Sequence, residues 1–195
     1  MPSLYDTTIP PFIRNLKTLS SLLKKGLQHT SNEESTLLAS RLIEDMKPLP
    51  YQIQRISDTA KGVAVRVAKV PTEAWADDET TFEQLQARIA KTIAFLEKID
   101  PKSMDGEDEM VEFFGTQLKA KDYVLNVAVP NFYFHYVTAY GLLRKEGVPI
   151  GKQDYLGNKN IWGGQPASVE IHDVVLSLAL QECRYHEGLG CGYQT

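Results

Sequence analysis

The stretch that decides the fold is KAKDYVLNVAVPNFYFHYVTAYGLL, residues 119–143. Its apolar and aromatic side chains, among them Tyr123, Val127, Phe132, Tyr136, Val137 and Leu143, spread over more than one side of a helix. That is the pattern of a helix buried by several neighbours. Pro130 interrupts it, and Gly147 followed by Pro149 stops it, so the stretch reads as a proline-kinked helix at the centre of a bundle.

Three further helical patterns precede it. Phe12, Leu16, Leu19, Leu23 and Leu27 recur at three- and four-residue spacing and predict a first helix over residues 11–28, entered through Thr8, Pro10 and Pro11. Leu37, Leu38, Leu42 and Met46, then Ile53, Ile56, Ala60, Val63 and Val67, predict a second helix starting near Asn32 and kinked between Met46 and Tyr51 by Pro48 and Pro50. After an acidic linker, residues 72–79, Thr80 and Glu83 have the spacing of a capping box, and Phe82, Leu85, Ile89, Ile93 and Leu96 carry a third helix to Lys98. Residues 101–115 have no helical period and predict a long connection with at most a short extended piece. The expected fold is all-α: an antiparallel four-helix bundle over residues 1–157, with proline-kinked second and fourth helices. Residues 158–195 follow as a glycine-rich connection and an extra C-terminal helix over residues 168–187.

Composition excludes several classes. The 195 residues are 43% hydrophobic and 24% charged, enough for one domain with a real core. Lys and Arg number 21 against 25 Asp and Glu, a net charge of -4, which disfavours nucleic acid as a partner. Pro2, Asp6, Pro10 and Pro11 predict no secretory signal, and the apolar runs at 123–129 and 174–180 fall short of the ~20 residues of a spanning helix. No membrane association is expected. Two cysteines, Cys183 and Cys191, predict free thiols and a cytoplasmic protein. Together with His186 they lack a fourth spaced ligand for zinc, while His29 and His172 read as solvated or filler. The acidic runs lack calcium-loop register, and neither a phosphate loop nor a serine nucleophile motif is present.

One constellation carries chemistry. On the fourth helix Asn131, His135 and Thr138 share a face, and Arg41, Asp45 and Gln52 form a similar polar stripe around Pro48. Buried polar groups need partners, so the two stripes are expected to face one another. In the plainer reading Asp45 and His135 make a core hydrogen bond that fixes register. In the functional reading they line a pocket: His135 as base, Asp45 orienting it, Tyr140 as phenol donor, and Asn131, Thr138, Gln52, Arg41, Tyr133 and Tyr136 binding the ligand.

Ser3-Leu4-Tyr5-Asp6 with Ile9-Pro10 and Phe12, Arg41-Leu42, Asp45-Met46-Lys47-Pro48-Leu49 with Gln52-Ile53, Thr81-Phe82, and above all Pro130-Asn131-Phe132-Tyr133-Phe134-His135 with Thr138-Ala139-Tyr140 and Gly147-Val148 resemble an uncharacterised family of fungal and bacterial proteins classed as a domain of unknown function. That family is similar to the DinB-like, YfiT-like four-helix bundles, and the resemblance spans about residues 1 to 157. Many DinB-like proteins hold a divalent metal with three histidines, one on the second helix and an H-x-x-x-H pair on the last, beside a small thiol cofactor. The resemblance places His135 as the first of the pair, with Ala139 in the second place and Asp45 at the second-helix position. Two groups are fewer than the three protein ligands a catalytic zinc site uses. No metal or cofactor is therefore expected, and a divalent ion through His135 and Asp45 is the alternative.

The expected function is a bundle that binds a small apolar or aromatic molecule, in the form of a cofactor-independent acid/base enzyme of isomerase, dehydratase or cyclase type. One rival is a non-catalytic interaction protein, with a homodimer seam and a structural Asp45–His135 pair. The other is a degenerate metal- or thiol-dependent DinB-like enzyme.

Overall fold

Ser3 sets where the chain begins to coil: its hydroxyl accepts from Asp6 N–H, and the Asp6 carboxylate accepts from Ser3 N–H in return. This capping box starts α1 at Leu4 and carries it to His29. Pro10 and Pro11 therefore lie inside the helix rather than at its first turn. The carbonyls they leave without a donor belong to Asp6, which is exposed, and Thr7, which is half-buried. A computed structural model describes residues 2–31, 33–71 and 74–157. The chain separates into residues 1–157 and 158–195. The expected C-terminal helix at 168–187, with His172, Cys183, His186 and Cys191, lies outside the described residues.

The expected kinked second helix is two helices. After α2 (Ser35–Ala39) the chain leaves helical geometry over residues 40–48, and α3 (Leu49–Arg66) starts afresh. Pro48 is the N-cap residue of α3 and Pro50 lies in its first turn, where a missing amide donor costs nothing. The prolines thus begin a helix instead of bending one. Next, α4 (Phe82–Leu96) opens one residue later than Thr80 and Glu83 suggest. Thr81 accepts from Gln84 N–H, and the Gln84 side-chain oxygen accepts from both Thr80 and Thr81 N–H.

The long connection folds as a 3₁₀ turn, Pro101–Met104, and a hairpin of β1 (Met110–Phe113) and β2 (Thr116–Lys119). Phe114 and Gly115 at its tip both have positive φ, as the tightest hairpin turns require. From β2 the chain runs directly into α5 (Ala120–Tyr123), a π-helical turn (Val124–Ala128) and α6 (Val129–Lys145). Pro130 brings no amide hydrogen, and the wider turn just before it, where Val129 N–H reaches Val124 O, absorbs the mismatch. A short α7 (Lys152–Leu156) closes the unit.

Contacts between helices give their directions. Phe12 stacks on Phe132 at 4.0 Å between ring centres, and Gly26 lies against Leu143, so α1 and α6 run the same way. Gln52 meets His135 while Thr59 meets Asn131, so α3 runs against α6. Lys17 pairs with Glu97 and Ser20 with Gln86, so α4 runs against α1. It follows that α3 and α4 are parallel, and the connection 67–81 must carry the chain back between them. The core gathers Phe12, Leu16, Leu23, Ile53, Phe132 and Tyr136 from three of these helices. Among the described residues no helix is long and apolar enough to cross a membrane.

Candidate functional site

Gln52 lies one turn into α3, buried to 2% exposure, and its Nε2 donates to Lys47 O at 2.9 Å. That bond fixes the amide: only an amide nitrogen can face a backbone carbonyl, so Oε1 points the other way, to His135 Nδ1 at 2.7 Å. An oxygen can only accept there, so Nδ1 carries the proton and Nε2 holds the lone pair. His135 is 9% exposed. Burial, reinforced by the positive charge of Arg55, pushes its pKa down to about 4, so the ring is neutral at neutral pH. Nε2 takes no hydrogen bond from the described residues and is not sealed from solvent.

Aromatic rings frame this imidazole. Tyr51 meets it edge-on at 6.0 Å and Phe134 at 5.1 Å, and the Arg55 guanidinium lies 5.1 Å from the centre of the Tyr51 ring. Asn131 donates to Thr59 Oγ1, tying α6 to α3 one turn away, and Thr138 Oγ1 turns back to Phe134 O.

The remaining expected residues go elsewhere. Asp45 is exposed on the 40–48 loop and makes no pair with His135; Gln52 takes the place the carboxylate was expected to fill. Arg41, also exposed, donates to Met46 O and closes that loop on itself. Both moved because residues 40–48 are not helical, so the three-to-four spacing that placed them on a face does not apply. Tyr133, Tyr136 and Tyr140 turn toward α1 and α7. Asn15 Nδ2 donates to the Tyr133 hydroxyl, the Tyr136 hydroxyl donates to Tyr155 O, and Tyr140 packs edge-on against Tyr155. They are not neighbours of His135 in one pocket, and burial of Tyr136 raises its pKa further from acid/base use.

The three-histidine metal set that the DinB resemblance implies does not fit this site. The first imidazole is present, Ala139 stands buried with no donor one turn on, and the α3 partner is the neutral amide of Gln52, whose oxygen is already taken. Of the alternative pair, His135 is nearly buried on α6 with Nδ1 taken by Gln52, while Asp45 is exposed on the 40–48 loop. Among the described residues no three His, Cys, Asp or Glu side chains come together.

A second polar cluster was not singled out from sequence. Arg88 on α4, with 2% of its side chain exposed, holds Asp58 at 2.8 Å, Asp77 at 3.0 Å, Glu79 at 2.8 Å and the Ala76 carbonyl at 2.7 Å. Burial works against the guanidinium charge, and the carboxylates of Glu79, Asp58 and Asp77 more than offset it. Arg55 adds a pair with Asp77. Two surface hollows of about 330 and 360 Å³ flank Trp75 beside this cluster. The available signal was an acidic linker facing two arginines one helix apart, a pattern a solvated linker also shows. The cluster fastens the 67–81 connection to α3 and α4.

Comparison with known proteins places this arrangement. The model of the family described as a domain of unknown function, DUF1993, matches residues 4–156. The crystal structure of a DinB family member protein from Shewanella denitrificans is similar at a TM-score of 0.74 and 32% identity, covering 86% of this chain and 96% of that one. No curated protein matches the chain.

Proposed function

This chain belongs to the DUF1993 family and has a DinB-like fold, and from its own side chains we propose that the α3–α6 seam at His135 binds a small, mostly apolar molecule carrying one hydrogen-bond donor. One observation carries the reading: a neutral, nearly buried imidazole whose tautomer is fixed by Gln52 and Lys47 and whose Nε2 is left open. Nε2 is the one acceptor of the seam left to solvent, and a ligand donor that takes the place of water there keeps that hydrogen bond while its apolar part is buried. Tyr51 and Phe134 supply the apolar walls.

The same observation ranks binding above catalysis. A general base works best with a pKa near the working pH, and His135 at about 4 is a good acceptor and a weak base. Proton abstraction in an isomerase or dehydratase step would need the ligand itself to raise that value.

The test uses phenol, an apolar ring with one donor, titrated into protein labelled at the histidine ring nitrogens. The expected result is a saturable shift of the His135 Nε2 resonance, with affinity at least about tenfold weaker in His135→Phe, the loss of one hydrogen bond of about 1.4 kcal/mol. No saturable shift, or equal affinity in the variant, refutes the reading. Native mass spectrometry of the purified chain then identifies the natural occupant.

A further inference from the structure

Lys61 on α3 is an amine with few partners. Only 14% of its side chain is exposed, yet it makes no hydrogen bond among the described residues, and the one carboxylate near it, Asp58, lies 4.0 Å away. Asp58 is already held at 2.8 Å by both Arg55 and Arg88, so Lys61 is the third and most distant cation on it. The Lys61 Nζ sits 4.5 Å from the centre of the Trp75 ring, and the Lys91 Nζ sits 4.4 Å from that same centre. An ammonium ion has three N–H donors to satisfy. Partly buried among other cations, it is favoured to give up its proton and become a nucleophile. Burial is the largest influence and holds the Lys61 pKa below its ordinary value; Arg88 and Lys91 add to the fall, and Asp58 and Asp77 oppose it.

The hollow of about 360 Å³ beside Trp75 is lined by Lys61 and also by Arg66. Arg66 Nε donates to Glu112 O, and Nη1 donates to Gly62 O and to the Tyr123 hydroxyl. Among the described residues Nη2 has no partner, and no carboxylate pairs with this guanidinium. One hollow therefore brings together a nitrogen nucleophile and a fixed positive charge whose anion is missing from the chain. A guanidinium fork is the group best shaped to receive a carboxylate.

We propose that this hollow takes a small 2-oxo acid, its carboxylate on Arg66 and its keto carbon joined to Lys61 as an imine. The neutral amine adds to the carbonyl carbon: the C–N bond forms, the C=O π bond breaks, and the proton shed by nitrogen goes to the oxygen. The carbinolamine then loses its hydroxyl and the remaining N–H proton as water, and the nitrogen lone pair closes the C=N bond. One amine and one ketone give one imine and one water. On taking a proton from solvent the imine becomes an iminium, which restores the positive charge facing Asp58. Val65 and Ala74 supply apolar wall for a short side chain on the acid. No residue lining this hollow belongs to the His135 seam, so the two sites stand or fall separately.

Trapping of the imine in the full chain tests this, with pyruvate and sodium cyanoborohydride as reagents and peptide mass mapping as the readout. The expected product is a reduced pyruvate adduct at Lys61, formed about tenfold or more faster than at any other amine of the chain. Methyl pyruvate has the more reactive ketone but no charge, and is expected to label Lys61 about tenfold more slowly than pyruvate does. In R66M that preference for the acid is expected to vanish while labelling by the ester is unchanged. Labelling spread evenly over the lysines, or a Lys61 adduct that forms as fast from the ester as from the acid, overturns the proposal. So does an R66M variant that keeps the preference or slows both reagents alike. The first two outcomes come from the unaltered chain and decide the matter whether or not R66M folds.

Discussion

His135 Nδ1 and Gln52 Oε1 lie 2.7 Å apart, and the direction of that bond is decided one step further away, at Lys47 O. A backbone carbonyl at the mouth of α3 thereby selects the tautomer of a histidine on α6. Replacing Gln52 by Leu removes the acceptor and leaves a buried Nδ1–H without a partner. The expected loss is about 1–3 kcal/mol in denaturant unfolding, with the histidine nitrogen shifts moving toward a mixture of tautomers. An unchanged tautomer in the variant would show that some other group holds the ring.

The pH dependence has a definite sign. The folded pKa of His135, about 4, lies below its ordinary value of 6.5, so between these values the unfolded chain binds the extra proton. The stability this provides is complete above pH 6.5 and is lost as pH falls toward 4, about 3 kcal/mol in all. Urea unfolding across that window is expected to show this loss in the wild type and to lack it in His135→Phe. Glu79, whose carboxyl burial raises but Arg88 and Gln54 lower on balance, contributes in the same direction at more acid pH in both proteins.

Arg88 is the anchor of the 67–81 connection. Arg88→Met leaves the nearly buried Glu79 carboxylate without its cation, while Asp58 and Asp77 keep Arg55, and is expected to cost about 3–5 kcal/mol. Arg88→Lys is expected to recover only part of it, because one ammonium cannot bridge the several partners that the guanidinium fork spans. Hydrogen exchange at residues 74–79 should rise in both variants. Unchanged protection there would mean that Arg55 on Asp77, Gln54 on Glu79 and the packing of Trp75 hold the connection without Arg88.

Phe12 stacks on Phe132 with ring planes only 12° apart, and both are fully buried. Phe12→Ala is expected to cost about 3–5 kcal/mol by cavity formation, read from chemical denaturation. A loss under 1 kcal/mol, well below that range, would place the seam between α1 and α6 outside the cooperative core.

The bundle was legible because four stretches repeat apolar residues at helical spacing, and burial enforces that period wherever a helix has one core face. The break at residues 40–48 was not, since Pro48 and Pro50 give the same sequence signal for a kink and for a new first turn. That one ambiguity displaced Asp45 and Arg41 while leaving Gln52, inside α3, opposite His135. Tyr133, Tyr136 and Tyr140 misled for a different reason. They stand two residues from Asn131, one from His135 and two from Thr138, close in sequence but about 100° or more round the helix. Arg88 escaped because its partners come from a linker whose path only the folded chain reveals.

The parallel course of α3 and α4 bears on how the molecule is made. Gln52 and His135 are separated by 83 residues, and the helix that follows α3 docks beside it only after the connection has doubled back. No short hairpin can nucleate the seam, so its closure carries the entropy of a long loop and falls late in folding. During synthesis the apolar side of α3 has to wait for α6 to leave the ribosome. An intermediate holding α1, α3 and α4 would therefore present that side to any chaperone within reach.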